Sequence, residues 1–484
     1  MGRRKSKLLL DAPLPFAYEV VPDQKAALFT PRAGLPLVAE QMRSLGIAGA
    51  VRVALRLRRH NATYNEAMMI ESGVLLIAAG GDRMEDMNVL RQDEALAQML
   101  GYPALPSADT LRNFLLEFHD EACVARAQAA LAPDEKARLI EESEALAAFA
   151  TVQTHLVHEV AARAPKVTVA TLEADATIIE STKDEARPHY KGGRGYQPVA
   201  VYWNEMDLVV ADEFREGNVP AGKATLDAVR RGFDALPASV ATRRFRGDSA
   251  FYNTETLRWM MDSRNRIERF TISADMVAEL RALCVALPEA SWKLLEERKH
   301  ERVYWSEVDY VTGNWPRDAK PLRTIVLRFD PDQRELFAAD GSERGMRYLS
   351  IVTNDEATAG DALIRWHWAK AGSIEKVHDV TKNDLAAGTL PCAEFGANAA
   401  WYRLSLLTYN VLSALKTLSL PPTLHDARPK RLRLWVFSIG AELISHARRL
   451  YARVSESMAL VIDLMSVWSR TRHRLDAAPI APSG

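Results

Sequence analysis

The stretch Val167-Thr-Val-Ala-Thr-Leu-Glu-Ala-Asp-Ala-Thr177 decides how the chain is read: the β-like run Val167–Leu172 is closed by the acidic island Glu173–Thr177, with Asp175 at its centre. β-Branched residues at such density predict a strand, and a carboxylate just past one can meet residues from neighbouring strands. A second carboxylate has the same setting, because the run Thr242–Gly247 delivers Asp248 in Arg246-Gly-Asp-Ser249. A third, Glu375, stands much later in Gly372-Ser-Ile-Glu-Lys376.

Working outward, Val167–Leu172, Pro198–Trp203 and Leu208–Phe214 read as three successive strands, with turns at Gly192–Gly195 and Asn204–Asp207. A helix over Ala221–Leu236, the strand Thr242–Gly247, a helix over Thr254–Asp262 and the strand Ile267–Ile272 follow. This succession predicts an α/β fold built on one mixed sheet flanked by helices, in which Asp175 and Asp248 lie side by side. Next come alternating segments, Arg302–Val311 and Leu322–Phe329, with Trp292, Trp305 and Trp315 among them and turns at Asn314, Pro316 and Asp340-Gly341; they read as a β-rich insertion. Arg347–Thr353 is a further strand, and a helical stretch Asp361–Val380 brings in Glu375. On a helix Glu375, His378 or Asp379, and Lys382 share a face.

Before the sheet the spacing predicts helices over Pro36–Leu45, Thr63–Ala79 (broken by Gly80-Gly81), Asp86–Leu100 and the segment capped by Ser107, then from Glu117 to about Ala164. Small helices joined by tight turns suit a helix-turn-helix reader and equally an ordinary helical subdomain. After the sheet, Asn398, Trp401, Arg403 and Asn410 share a helical stretch whose apolar spacing assigns them to packing. The expected organisation is a helical region (1–120), a helical connector (121–165), two core parts (166–290 and 346–415) around an insertion (291–345), and a helical C-terminal region (416–484).

The 484 residues, 48% hydrophobic and 26% charged, are ordinary for a soluble protein of two to four domains. No apolar run reaches the roughly 18 residues of a membrane span, and the Arg-Arg-Lys start lacks a signal-peptide core, so a cytoplasmic protein is expected. Three scattered cysteines fit neither a disulfide framework nor a zinc knuckle. The net charge is −1, yet the basic residues cluster: Arg52, Arg56, Arg58 and Arg59; Arg243, Arg244 and Arg246; then Arg428, Lys430, Arg431, Arg433, Arg448, Arg449 and Arg453. Such runs are solvated faces or a nucleic-acid footprint.

Two aspartates and a glutamate are hard oxygen ligands sufficient for Mg²⁺ or Mn²⁺. A pair of such ions about 3.5–4 Å apart activates a water or hydroxyl and stabilises the leaving oxyanion in phosphodiester cleavage. With 63 acidic residues in the chain, surface charges and helix caps account for any three equally well.

Ordered signatures favour the first alternative. Gly80-Gly-Asp-Arg-Met-Glu-Asp-Met-Asn-Val-Leu-Arg91, Pro106-Ser-Ala-Asp-Thr110, Gly195-Tyr-Gln-Pro198, Arg215-Glu-Gly-Asn218 and Arg246-Gly-Asp-Ser-Ala-Phe251 occur in sequence. Together the chain resembles the DDE transposases of bacterial insertion sequences, 1380-type branch, whose RNase H-like core carries a β-rich insertion. The resemblance implies Asp175, Asp248 and Glu375 as catalytic, metal-binding carboxylates for two Mg²⁺ or Mn²⁺ ions, and Lys382 as a contact to transposon-end phosphate. A related branch places an arginine and a tyrosine where this chain has Ala371 and Trp368; Lys370 is a substitute for the missing guanidinium. By position Tyr348 stacks on a flipped base or packs within its sheet, Arg246 and Asn218 are further DNA contacts, and His378 is a supporting or exposed residue. The implied partners are double-stranded DNA and a second copy of the chain, and the implied activity is cleavage at terminal inverted repeats followed by strand transfer, through a hairpin end. A catalytically inert DNA-binding descendant and a metal-independent two-carboxylate hydrolase are the competing classes.

Overall fold

The structure, a computed structural model, describes residues 28–57, 63–311, 315, 320–331, 346–446, 449–458, 460–461 and 463–464. Arg58, Arg59, Arg448 and the turns expected at Asn314, Pro316 and Asp340-Gly341 lie outside these residues.

After a short strand β1 (Leu28–Thr30), the chain forms small helices: α1 (Pro36–Ser44), α2 (Ile47–Ala54), α3 (Glu66–Ala79), α4 (Met87–Arg91), α5 (Glu94–Leu100), α6 (Ala108–Leu116) and α7 (Glu121–Ala129). Their ends follow side-chain chemistry. Gly80 closes α3 at φ 102°, a conformation open to glycine. Ser107 caps α6 by accepting the Thr110 N–H at 3.2 Å. The single helix expected over Asp86–Leu100 is two, because Asp93 accepts the Leu96 N–H at 2.9 Å and starts α5 afresh. The connector is likewise interrupted over 130–143 before the long α8 (Glu144–Arg163).

The predicted strands then appear as β2 (Val169–Ala176), β6 (Val199–Trp203), β7 (Leu208–Glu213), β8 (Thr242–Gly247) and β9 (Ile267–Ala274), with α9 (Thr225–Asp234) before β8 and α10 (Thr254–Met261) before β9. Between β2 and β6 lies a small separate sheet of β3 (Ile179–Glu180), β4 (Arg187–Pro188) and β5 (Arg194–Tyr196). In the main sheet β7, β6 and β2 run antiparallel, and β8 and β9 add in parallel to β2. After α11 (Ala278–Ala286), the insertion strands β10 (Lys293–Glu297), β11 (Glu301–Val308) and β12 (Arg323–Pro331), with β13 (Arg347–Thr353), extend this sheet antiparallel from β9. The result is one nine-stranded mixed sheet, ordered β10-β11-β12-β13-β9-β8-β2-β6-β7, flanked by helices.

Helices α9 and α10 cover one face; Gly232 of α9 lies so close that a Cβ there would meet Val201 Cγ1 at 2.6 Å. The other face carries α8 and three later helices, α12 (Gly360–Trp368), α13 (Ile374–Asp384) and α14 (Phe395–Leu418). Helix α14 is buried continuously from Gly396 to Leu415, the mark of a core helix. Most of its polar groups are paired, as buried ones usually are: Asn410 exchanges hydrogen bonds with the Val209 backbone at 2.8 and 2.7 Å, and Arg403 pairs with Asp212. Packing is thus the role of Asn398, Trp401, Arg403 and Asn410, as the apolar spacing indicates.

Two expectations are corrected. The helix predicted over Asp361–Val380 is interrupted by the 3-10 turn 369–372 and by the non-helical backbone of Ser373, after which α13 starts afresh at Ile374. The stretch 416–484 is only partly helical among the described residues. Short helical segments at Pro422–Leu424, Pro429–Leu432 and Arg433–Phe437 lead to a hairpin, β14 (Ala441–His446) and β15 (Arg449–Arg453), which β1 completes as a third strand. Pairing with a strand from the far N-terminus overrides local spacing there.

The glycines of two signatures have a packing reason. A Cβ on Gly195 would fall on the Ile179 carbonyl oxygen, and one on Gly217 would lie 2.5 Å from the Gly195 oxygen. Three chain segments meet there without side chains between them. Gly195→Ala is therefore expected to cost about 1–3 kcal/mol through backbone displacement, read as a lower urea midpoint.

Candidate catalytic centre

Parallel pairing of β2 with β8 puts Ala174 opposite Gly247, so Asp175 and Asp248 emerge next to each other at the carboxyl ends of adjacent strands. Each is held locally, Asp175 by the Ala176 N–H at 2.9 Å and Asp248 by the Ala250 N–H at 3.0 Å. Glu375 sits exposed in the first turn of α13. Burial first, then the neighbouring Asp248 charge and more weakly Glu375, push the Asp175 carboxyl up to about 6, with Lys370 pulling the other way. These carboxylates thus sense one another, with Lys370 as the nearby cation.

Beneath them lies a buried polar cluster. Glu173, in the middle of β2, is fully buried and pairs with Arg246 of β8. Its second oxygen accepts the Ser373 hydroxyl and, at 3.2 Å, the Ile374 N–H at the start of α13. Arg246 also donates to the Trp366 carbonyl of α12 at 2.6 Å, with its guanidinium 5.2 Å from the Trp366 ring centre. Arg246, expected from sequence as a DNA contact, is instead an internal cation, its side chain 3% exposed and engaged by Glu173. Sequence reasoning quoted Glu173 and Ser373 without assigning them. The signal was present, because an acidic residue within an apolar strand demands a buried partner.

The other expected residues are placed as follows. His378 is buried rather than exposed: its Nε2 lies 3.8 Å from Asp175 Oδ2, and burial, with Lys382 and Lys370 near, lowers it to about 4, so the ring is neutral. Lys382 donates to the Ile178 carbonyl at 2.7 Å, just past β2. Asn218 is half-buried and donates to the Lys136 carbonyl at 2.8 Å, which occupies it in holding the connector. Tyr348 is 8% exposed and packs with Trp292 at 6.1 Å between ring centres. A base has no open face to stack on there, so the packing alternative describes this residue. Trp305 is buried in the cluster under α12, and the half-buried Trp368, at the end of α12, packs against that cluster.

Beside Glu375 opens a cleft of about 430 Å³, lined by Arg298, Phe329, Arg347, Trp368 and Lys370. Arg298 lies over the Trp368 ring at 5.1 Å and Arg347 over Phe329 at 4.5 Å, so aromatic and cationic groups form its wall together. Among the described residues, no three His, Cys, Asp or Glu side chains stand close enough, as placed, to hold a metal ion. Asp175, Asp248 and Glu375 nonetheless fit a divalent ion in kind: all are hard oxygen donors, and the repulsion felt at Asp175 is what a cation would relieve. No described helix is long and apolar enough to cross a membrane.

The family model described as "Transposase DDE domain group 1" matches residues 16–473. No curated protein matches the chain in sequence. Among solved structures, a cryo-EM structure of the piggyBac transposase synaptic complex with hairpin DNA is similar at 9% identity, over 93% of this chain and 82% of that one, with a TM-score of 0.40.

Proposed function

Because the chain belongs to the transposase DDE domain group 1 family, we propose that it is a DNA transposase of an insertion sequence that binds terminal inverted repeats, cleaves there with divalent metal and transfers the freed 3′ end. The supporting observation is the parallel register of β2 and β8, which brings Asp175 and Asp248 out side by side, with Glu375 near enough to add to the repulsion at Asp175. In this reading those three are the catalytic carboxylates and would hold Mg²⁺ or Mn²⁺. Two such ions supply an activated attacking oxygen and neutralise the leaving one.

The chain's own side chains do the remaining work. Lys370, beside Asp175 and in the wall of the cleft, meets a backbone phosphate and takes the place of the guanidinium absent at Ala371. Arg298 and Arg347 line the approach of a DNA strand to Glu375. Lys382 reaches phosphate by exchanging its bond to the Ile178 carbonyl. Binding to such cations weakens with salt in proportion to the phosphates neutralised. A hairpin on the transposon end and action as a homodimer on paired ends belong to the same reading and come from the resemblance to the 1380-type branch.

End-bearing DNA is expected to shift on a gel with or without Mg²⁺ and to be nicked only with Mg²⁺ or Mn²⁺. Nicking that survives EDTA supports a two-carboxylate hydrolase instead, and shifting without nicking supports an inert binder. Lys370→Ala is expected to slow single-turnover cleavage by about 10-fold or more, the typical worth of a hydrogen bond to a charged group.

A further inference from the structure

Three side chains to which the proposed chemistry gives no role stand at one repeated offset from those that it uses. Glu173 comes two residues before Asp175, Arg246 two before Asp248, and Ser373 two before Glu375. They are bonded to one another: one oxygen of Glu173 takes Arg246, and the other takes Ser373 and the Ile374 N–H. Along a strand an offset of two keeps the same face, so the tie at Glu173 on β2 bears on the direction of Asp175, and the tie at Arg246 holds the end of β8 from which Asp248 emerges.

The third tie has the most to hold. Glu375 starts a helix that follows the turn 369–372, and Ala371 and Gly372 in that turn are exposed; a Cβ on Gly372 would meet nothing within 4 Å. The start of α13 is anchored by Glu173, whose negative charge at a helix N-terminus is favourable. Arg246 anchors the other side of the turn through the Trp366 carbonyl. A buried ion pair is weak evidence of stabilisation, since apolar residues of like volume do as well; what it adds is direction.

We propose that Glu173, Arg246 and Ser373 are positioning residues that set the mutual spacing of Asp175, Asp248 and Glu375, and through it the affinity for divalent ions. This rests on the reading of those three carboxylates as the ion-binding set.

The test is Mn²⁺ binding without DNA, followed by electron paramagnetic resonance of the free ion, with near-ultraviolet circular dichroism to monitor packing. Ser373→Ala and Glu173→Gln are expected to weaken Mn²⁺ binding about 10-fold or more, the usual effect of losing a partner behind a ligand. Ser373→Thr, which keeps the hydroxyl, is expected to bind as the wild type does, and cleavage by Ser373→Ala is expected to recover at saturating Mn²⁺. Unchanged affinity in Ser373→Ala and Glu173→Gln, while Asp175→Asn loses the ion, overturns the positioning role and leaves the site standing. Wild-type affinity in both Asp175→Asn and Asp248→Asn removes the underlying reading, and the proposal with it. If Glu173→Gln does not fold, Ser373→Ala, which deletes one hydroxyl, decides alone.

Discussion

Asp175→Ala, Asp248→Ala and Glu375→Ala are each expected to lower excision of a marked element by about 1000-fold or more while leaving end binding within a few-fold of wild type. The magnitude follows from the several kcal/mol that metal-ion catalysis contributes to a phosphodiester transition state, at one decade of rate per about 1.4 kcal/mol. Binding is spared because each change leaves in place the four cations proposed to meet DNA, Lys370, Arg298, Arg347 and Lys382. An excision reporter with gel shift in parallel checks this. Retained excision in one variant removes that residue from the site, and loss of binding together with near-ultraviolet dichroism marks a misfolded variant, in which case Asp175→Asn, Asp248→Asn and Glu375→Gln replace the set.

The largest stability effect is expected away from the site, at Arg403→Met. Arg403 donates to both oxygens of Asp212, at 2.9 and 2.8 Å, and to Glu142 at 2.7 Å, joining α14 to β7 and to the connector before α8. The Asp212 side chain is 1% exposed, and burial raises its pKa against the opposing pull of Arg403. Removing the cation leaves a buried, unpaired carboxylate, at a cost of about 3–5 kcal/mol in urea unfolding at pH 7. In the variant the folded pKa of Asp212 lies further above its unfolded value of 3.8. The deficit is therefore absent below that value and grows as pH rises past it, because the neutral acid needs no partner. Asp212→Leu in the same chain is expected to restore most of the loss; a pair of changes that adds without recovery would show that Arg403 acts through packing alone.

Legibility in the sequence followed the range of the signal. Strands β2, β6, β7, β8 and β9 were readable because β-branched runs and turn residues are local, and their order already placed Asp175 beside Asp248. The break at Gly372-Ser373 was harder to read, since helical spacing continues across it and the group that holds the new start of α13 is Glu173, two hundred residues away in sequence. Arg246 was misplaced, and Tyr348 was left between two roles, for a related reason. Each has the chemistry of a DNA contact, and only tertiary neighbours, Glu173 for one and Trp292 for the other, reveal that those groups are engaged. The C-terminal hairpin depends on β1, which no local pattern in 416–484 announces.

The continuity of the nine-stranded sheet has a consequence for the order in which the molecule becomes competent. Glu375 lies beyond β13, and β13 joins the parallel strands only through β9, with β12, β11 and β10 stacked outward from it. A nascent polypeptide stopped short of α13 owns two of the three acidic groups and lacks the last. In the proposed reading, cleavage therefore has to wait until α13 has been made and has docked on Glu173, two hundred positions upstream.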